Sequence, residues 1–369
     1  MVKKPLTARQ LLARIQKLEI PNKLGILNVC GGHERSISNA GLRSLLPDNI
    51  ELIPGPGCPV CICPEQDVCE AIQLALNENI IMLAFGDMLR VPVNVPKSEP
   101  RSLEQAKAAG ADIRAVASPL EALKLATENP TQTIVFFVAG FETTMAPVAA
   151  MLAQQAPDNL LILLSGRLTW PAVLLLLQSR QQKFDALIAP GHVATVMGSQ
   201  EWEFVVKQYK VPVAVAGFTA ESLLAAFYSV IRQTLGHQCF LDNCYSEVVS
   251  PSGNKTAQNI LNQVMTVVDA DWRGIGEIKN SGFALQAEYQ KHDARQYFPP
   301  QITQKRKREG EMPAGCDCAS VIMGKIYPSG CRLYGTCKPE SPIGPCMVSD
   351  EGACRIWWAN SIRSEVLVS

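Results

Sequence analysis

The sequence predicts an α/β protein in which two parallel-sheet α/β domains face a cleft and a small cysteine-rich region follows. Three observations predict this. Short apolar runs of β type alternate with helical stretches over residues 1–236. Glycine-rich loops bearing Cys, His, Glu or Asp follow many of these runs. The 13 cysteines fall into two groups, five in 30–69 and eight in 239–354, with none between.

Composition sets the outer limits. The chain has 369 residues and is 47% hydrophobic, enough for two or three domains with proper cores. Its 34 basic and 34 acidic residues cancel, which argues against a general binder of nucleic acid or membrane surfaces. Met1-Val2-Lys3-Lys4 is basic, but polar residues follow it, so we expect no export signal and a cytoplasmic location. The longest apolar stretch, Thr133–Ala153, is interrupted by Gly140, Glu142 and Pro147 and does not read as a membrane span. Without export, so many cysteines point to metal binding or thiol chemistry.

The elements follow in order. Thr7-Ala8-Arg9-Gln10 is a capping box before Leu11, Leu12, Ile15 and Leu18, which share one helical face. Buried parallel strands are expected at Gly25–Val29, Ile50–Ile53, Ile80–Phe85 and Ile113–Val116. Helices are expected at Ser102–Ala109, ended by Gly110, and from Ser118 to Thr127. The alternation resumes with strands at Thr133–Ala139, Leu160–Leu164, Ala186–Ala189 and Val211–Ala216. This places a first α/β domain at 1–128, a second at 129–236 and a C-terminal region at 237–369. That last region is more polar, with long loops and a basic run at Lys305–Arg308.

Ligands of open parallel sheets bind beyond the carboxyl ends of the strands, where this chain keeps its polar motifs. Cys30-Gly31-Gly32-His33 ends the first strand, and its thiol and imidazole are spaced to face one ion. Gly55-Pro56-Gly57-Cys58-Pro59-Val60-Cys61 ends the second. A Cys-x-x-Cys at a strand-to-helix turn suits a redox dithiol or a metal site, and taken alone it also fits two packed small residues. Gly86-Asp87-Met88, Gly140-Phe141-Glu142-Thr143-Thr144, Pro190-Gly191-His192 and Gly217-Phe218-Thr219 end later strands. Glu142 reads either as a helix cap or as an acid that orients a metal-bound group. His237 and His292 lie in unpatterned sequence and read as surface residues. Cys239 and Cys244 read as structural, and Cys69 as core.

Six cysteines lie between 316 and 354: Cys316-x-Cys318, then Cys331, Cys337, Cys346 and Cys354. Structural zinc sites usually show two close knuckles, which are missing here. Widely spaced thiolates in Gly/Pro-rich loops suit a four-cysteine iron–sulfur cluster, with Trp357 and Trp358 as shields and Cys316 or Cys318 as a substitute ligand.

Read together, these motifs resemble the HypD family of [NiFe]-hydrogenase maturation proteins over nearly the whole chain. The resemblance rests on Cys30-Gly-Gly-His-Glu34, Gly55-Pro-Gly-Cys-Pro-Val-Cys61, Phe85-Gly-Asp-Met-Leu-Arg-Val-Pro92, Ala106-Lys-Ala-Ala-Gly-Ala-Asp112, Gly140-Phe-Glu-Thr-Thr144, Pro190-Gly-His-Val193 and Gly344-Pro-Cys-Met-Val-Ser349. It implies two α/β domains and a C-terminal domain with a [4Fe–4S] cluster. It also implies a scaffold, rather than a conventional turnover enzyme, for building the Fe(CN)2CO unit. A small HypC-type partner and HypE/HypF-type cyanide donors are implied with it. By position, Cys30 becomes a ligand or close support of the transient iron, with His33 its neighbour. Cys58 and Cys61 become the redox dithiol, also within reach of that iron, and Cys331, Cys337, Cys346 and Cys354 the cluster ligands. Glu142 and His192 complete the site residues. The chain departs from the family pattern at Thr219, at Asn243–Glu247 and in a Cys331–Cys337 gap one residue short. The alternative function is an iron–sulfur thiol-disulfide oxidoreductase of the ferredoxin–thioredoxin reductase type. A third is an assembly module with C-terminal zinc.

Overall fold

The structure is a computed structural model describing residues 6–179, 184–299 and 312–368, with side chains described to Ser361. The basic run Lys305–Arg308 and the segment Met1–Lys4 lie outside the described residues. Eleven strands are named: β1 (Leu24–Asn28), β2 (Ile50–Pro54), β3 (Ile80–Phe85), β4 (Ile113–Val116), β5 (Thr133–Gly140), β6 (Leu160–Gly166), β7 (Ala186–Pro190), β8 (Val213–Ala216), β9 (Leu241–Asn243), β10 (Met265–Trp272) and β11 (Gly276–Leu285).

All eight expected strands form, as β1 to β8. Their residues are apolar almost throughout because helices cover both faces of each sheet, and β1, β6, β7 and β8 are buried at every position. Local signals also hold. The Thr7 side chain accepts from Gln10 N while the Gln10 side chain accepts from Thr7 N, closing the capping box of helix Ala8–Ile15. The Ser102 hydroxyl caps helix Leu103–Ala108 at Gln105 N, 3.2 Å away.

The sheets do not follow the contiguous halves 1–128 and 129–236. One parallel sheet has the order β2-β1-β7-β8-β9, and the other β4-β3-β5-β6. The strands of the second sheet are inserted between β2 and β7 of the first. Each sheet therefore joins strands from both expected ranges, because β1 finds its apolar neighbour in β7 rather than in the next unit. Both orders reverse direction beside their first strand, at β1/β7 and at β3/β5. Such reversals leave a crevice at the carboxyl ends.

Region 237–299 is more ordered than its polar composition suggests. It supplies β9, helix Lys255–Val264 and the antiparallel β10–β11 hairpin. Only Met265 and Trp272 of β10 are buried, so the hairpin has no apolar run to announce it. His292 is also buried, contrary to the surface reading, and its Nδ1 lies 2.8 Å from the Leu160 carbonyl.

The C-terminal cysteines share a core with the second sheet. One apolar cluster contains Met82, Val135 and Phe137, the loop residues Cys58, Val60 and Ile62, and Val321, Ile322, Met347 and the thiols near them. The other face of that sheet forms a separate core around Phe136. Phe136→Ala should lower stability by about 3–5 kcal/mol in equilibrium denaturation. Leu120→Ala, at an exposed site, should change it by less than about 0.5 kcal/mol.

Candidate functional site

Cys30 stands at the reversal point of the first sheet. It leaves β1 in extended conformation and precedes helix Gly31–Asn39. The second loop lies directly on it: Gly31 N donates to the Gly57 carbonyl at 3.1 Å, and a Cβ on Gly57 would collide with the Cys30 backbone. Cys58 caps helix Pro59–Ile62 and Cys61 lies within it, and the two are disulfide-bonded, with 5.4 Å between their Cα atoms.

Cys30, Cys58, Cys61 and Cys346 line one cavity of about 10 Å³, together with Asn28, Glu34, Ile322 and Glu351. That is room for one water-sized group. Burial pushes the Cys30 thiol up to about 12, and the carboxylates of Glu351 and Glu34 push the same way. The His33 and Gly32 backbone N–H groups pull against them. Cys30 is therefore protonated near neutral pH, and a metal that binds there must displace a proton.

His33 is fully buried beside this cavity but does not line it. Its Nε2 lies 2.9 Å from the Ala216 carbonyl and its Nδ1 3.2 Å from Asn28 Oδ1, so neither ring nitrogen is free to share an ion with Cys30. Burial pushes the imidazole down to about 4, and it is neutral at neutral pH. Phe218 packs on His33 with ring centroids 4.8 Å apart and stacks on His192 at 3.8 Å. His192 is exposed and reaches the site through this ring. Four of the six strand-end loops thus meet at the edge of the first sheet, while those at Gly86 and Gly140 end strands of the second.

The C-terminal thiols form a second centre. The sulfurs of Cys318, Cys346 and Cys354 are buried and lie within 4.8 Å of one another. Cys316 Sγ is 3.2 Å from Cys318 Sγ. A Cβ on Gly344 would fall 2.5 Å from the first of these sulfurs and 2.7 Å from the second, so glycine makes the room for both. Cys331 and Cys337 accept backbone N–H bonds from Asp317 and Ile343, at 3.5 and 3.2 Å. Cys318 and Cys346 donate towards Cys354 and pull it down to about 6, the behaviour of a thiolate ready to bind metal. This soft, thiol-only set fits an iron–sulfur centre. Of the four ligands expected from the sequence, Cys346 and Cys354 stand in the close group. Cys318 joins them there, and Cys331 and Cys337 do not.

The geometry can be set beside known proteins. A profile of HypD, described as the hydrogenase formation hypA family, matches residues 6–361. The chain belongs to the HypD family. It is similar to the hydrogenase maturation factor HypD of Escherichia coli, 40% identical over 346 residues, covering 91% of this chain and 88% of the other. It is 39% identical to HypD of Rhodobacter capsulatus over 365 residues, 96% and 95% of the two chains. A putative hydrogenase expression/formation protein of Methanocaldococcus jannaschii is 38% identical over 356 residues, 95% and 96% of the two chains.

Glu34, Phe218 and Gly344 stand in the sequence motifs without a role of their own and gain their roles from partners distant in sequence, while Cys318, expected only as a substitute ligand, stands in the close group. Trp357 was expected to shield the cluster, yet its Nε1 donates to Glu34 at 2.9 Å, while Trp358 packs with the thiol core. Among the described residues no helix is long and apolar enough to cross a membrane.

Glu142 opens helix Glu142–Ala153, and both its oxygens are engaged by Thr169, by the backbone N at 2.7 Å and the hydroxyl at 2.8 Å. Burial pushes it up to about 7. Glu201 is raised as well, by burial and then by the charge of Glu142. A carboxyl raised in the folded state stabilises fully below its unfolded value and loses that stabilisation as pH rises through the folded value. The apparent Tm should therefore fall between pH 5 and pH 8, and Glu142→Gln should shrink that fall. Equal falls in the two proteins would remove Glu142 as the cause.

Proposed function

We propose that this chain is a hydrogenase maturation factor that scaffolds assembly of the Fe(CN)2CO unit of [NiFe]-hydrogenase with a small HypC-type partner. Cyanide arrives from HypE/HypF-type donors. The carrying observation is the cavity shared by Cys30, Cys58, Cys61 and Cys346 at the reversal point of the first sheet, in a chain of this family. Iron that must accept cyanide and carbon monoxide needs soft donors and open positions. Cys30 supplies one thiolate at the cavity wall after losing its buried proton, and Cys58 and Cys61 supply two more once reduced. Reduction of their disulfide takes two electrons and two protons and breaks one S–S bond. His33 and Glu142 stay outside the iron's reach and hold the loops, while His192 stacks on Phe218 at the same sheet edge.

The C-terminal thiols would hold a [4Fe–4S] cluster in this reading, with Cys354 as one ligand and the others drawn from Cys316, Cys318, Cys331, Cys337 and Cys346. When bound, it supplies one-electron chemistry beside the dithiol. The protein prepared without oxygen should absorb broadly near ~400 nm. Cys354→Ser should lose that band with its iron and acid-labile sulfide. Zinc without sulfide in the parent protein would reject the cluster.

The disulfide beside Cys346 also favours a second reading, a thiol-disulfide oxidoreductase of the ferredoxin–thioredoxin reductase type with no second iron. Infrared bands of iron-bound cyanide and carbon monoxide in the partner complex separate the two. Cys30→Ala should lose those bands and the iron beyond the cluster's own, while the ~400 nm band stays. If both persist, the assembly site moves to Cys58 and Cys61.

A further inference from the structure

We infer that Glu34 is a positioning residue: it ties the helix bearing Cys354 to the Cys30 loop and so sets how the C-terminal thiols stand to Cys30 across their shared cavity. The inference rests on the reading that these thiols act together.

Glu34 is a buried carboxylate, 2% exposed, on helix Gly31–Asn39. Buried carboxylates need donors, and three side chains provide them. Arg43 Nη2 lies 2.7 Å from Oε1, Trp357 Nε1 donates to the same oxygen at 2.9 Å, and Asn28 Nδ2 reaches Oε2 at 3.5 Å. The Arg43 guanidinium also lies 5.0 Å from the centre of the Trp357 ring, and Tyr327 stacks on that ring at 5.3 Å.

The two sides of the cavity meet at this carboxylate. On one side, the Asn28 amide that it receives also donates to the Cys30 carbonyl at 3.1 Å. On the other, Trp357 lies three residues after Cys354 on helix Ala353–Val368, so both side chains project from the same face. Movement of Trp357 therefore carries Cys354 with it. Arg35 and Asp350 also bridge the two segments, but at 3.9 Å and with both side chains more than half exposed, a pair that water screens. Glu34 is the buried tie.

The experiment measures iodoacetamide labelling of the full chain, prepared anaerobically and resolved by site in the mass spectrometer. Cys239, half-buried and outside the cavity, serves as the internal reference. Trp357→Phe removes one N–H and keeps a ring for Arg43 and Tyr327. It should raise Cys30 labelling about tenfold relative to Cys239, as the cavity opens locally. It should also shift the midpoint potential of the Cys58–Cys61 pair, with cluster absorption retained. Glu34→Ala should do more. Glu34→Gln keeps an acceptor for Trp357 and should restore much of the parent behaviour. Parental Cys30 labelling and an unmoved potential in Trp357→Phe would overturn the inference, and that variant decides the matter if Glu34→Ala does not fold. Labelling does not depend on iron assembly. Absence of cyanide and carbon monoxide bands in the parent complex would sink the functional reading and leave this result standing.

Discussion

Parallel pairing of β1 with β7 is the constraint on which the thiol site depends. Ile26 lies opposite Ala186 and Asn28 opposite Ile188, with the whole second sheet intervening in sequence. This pairing makes β1 an interior strand, buries it on both faces and turns the first sheet around beside it. Only then do the loops at Cys30, His192 and Phe218 become neighbours. A long-range parallel contact of this kind is slow to form because the intervening loop must close first. The inserted sheet, which carries its own order and its own buried faces, can shorten that loop by folding.

Burial then decides the chemistry available at the loops. Cys30 and His33 are three residues apart, but helix Gly31–Asn39 turns the imidazole into the protein, where Asn28 and Ala216 occupy it. The thiol faces the cavity instead and is held in its protonated form. At the C-terminus burial raises Cys331 and Cys337 in the same way, while Cys354 is lowered. There thiols crowd one another around Gly344, and hydrogen bonds between them favour a thiolate at Cys354. In the proposed reading the protonated thiol is the one that takes up iron, and the thiol group around Cys354 is the one that moves electrons.

The division between what sequence and tertiary structure determined is visible element by element. Apolar runs such as Ile80–Phe85 and Thr133–Ala139 announced their strands because a strand buried on both faces must be continuously apolar. Thr7 and Ser102 announced their helices because capping is a local bond. The cysteine loops were legible for a similar reason: their glycines and prolines act within a few residues, and thiol chemistry narrows what the side chain can be for. The family resemblance rested on those loops together with cysteine-free motifs such as Gly140–Thr144 and Pro190–Val193.

Strand order, by contrast, was not written in any local run. β1 and β3 are similar apolar segments, and which partner each takes depends on how the chain closes over more than a hundred residues between Asn28 and Ala186. The β10–β11 hairpin stayed hidden because its outer face is solvated and its buried contacts are few. Glu34 looked like the end of a loop motif, and Trp357 like a shield for the cluster. Tertiary structure made them partners, because a carboxylate out of water must find donors wherever the fold brings them, and here the fold brought an indole from the far end of the chain.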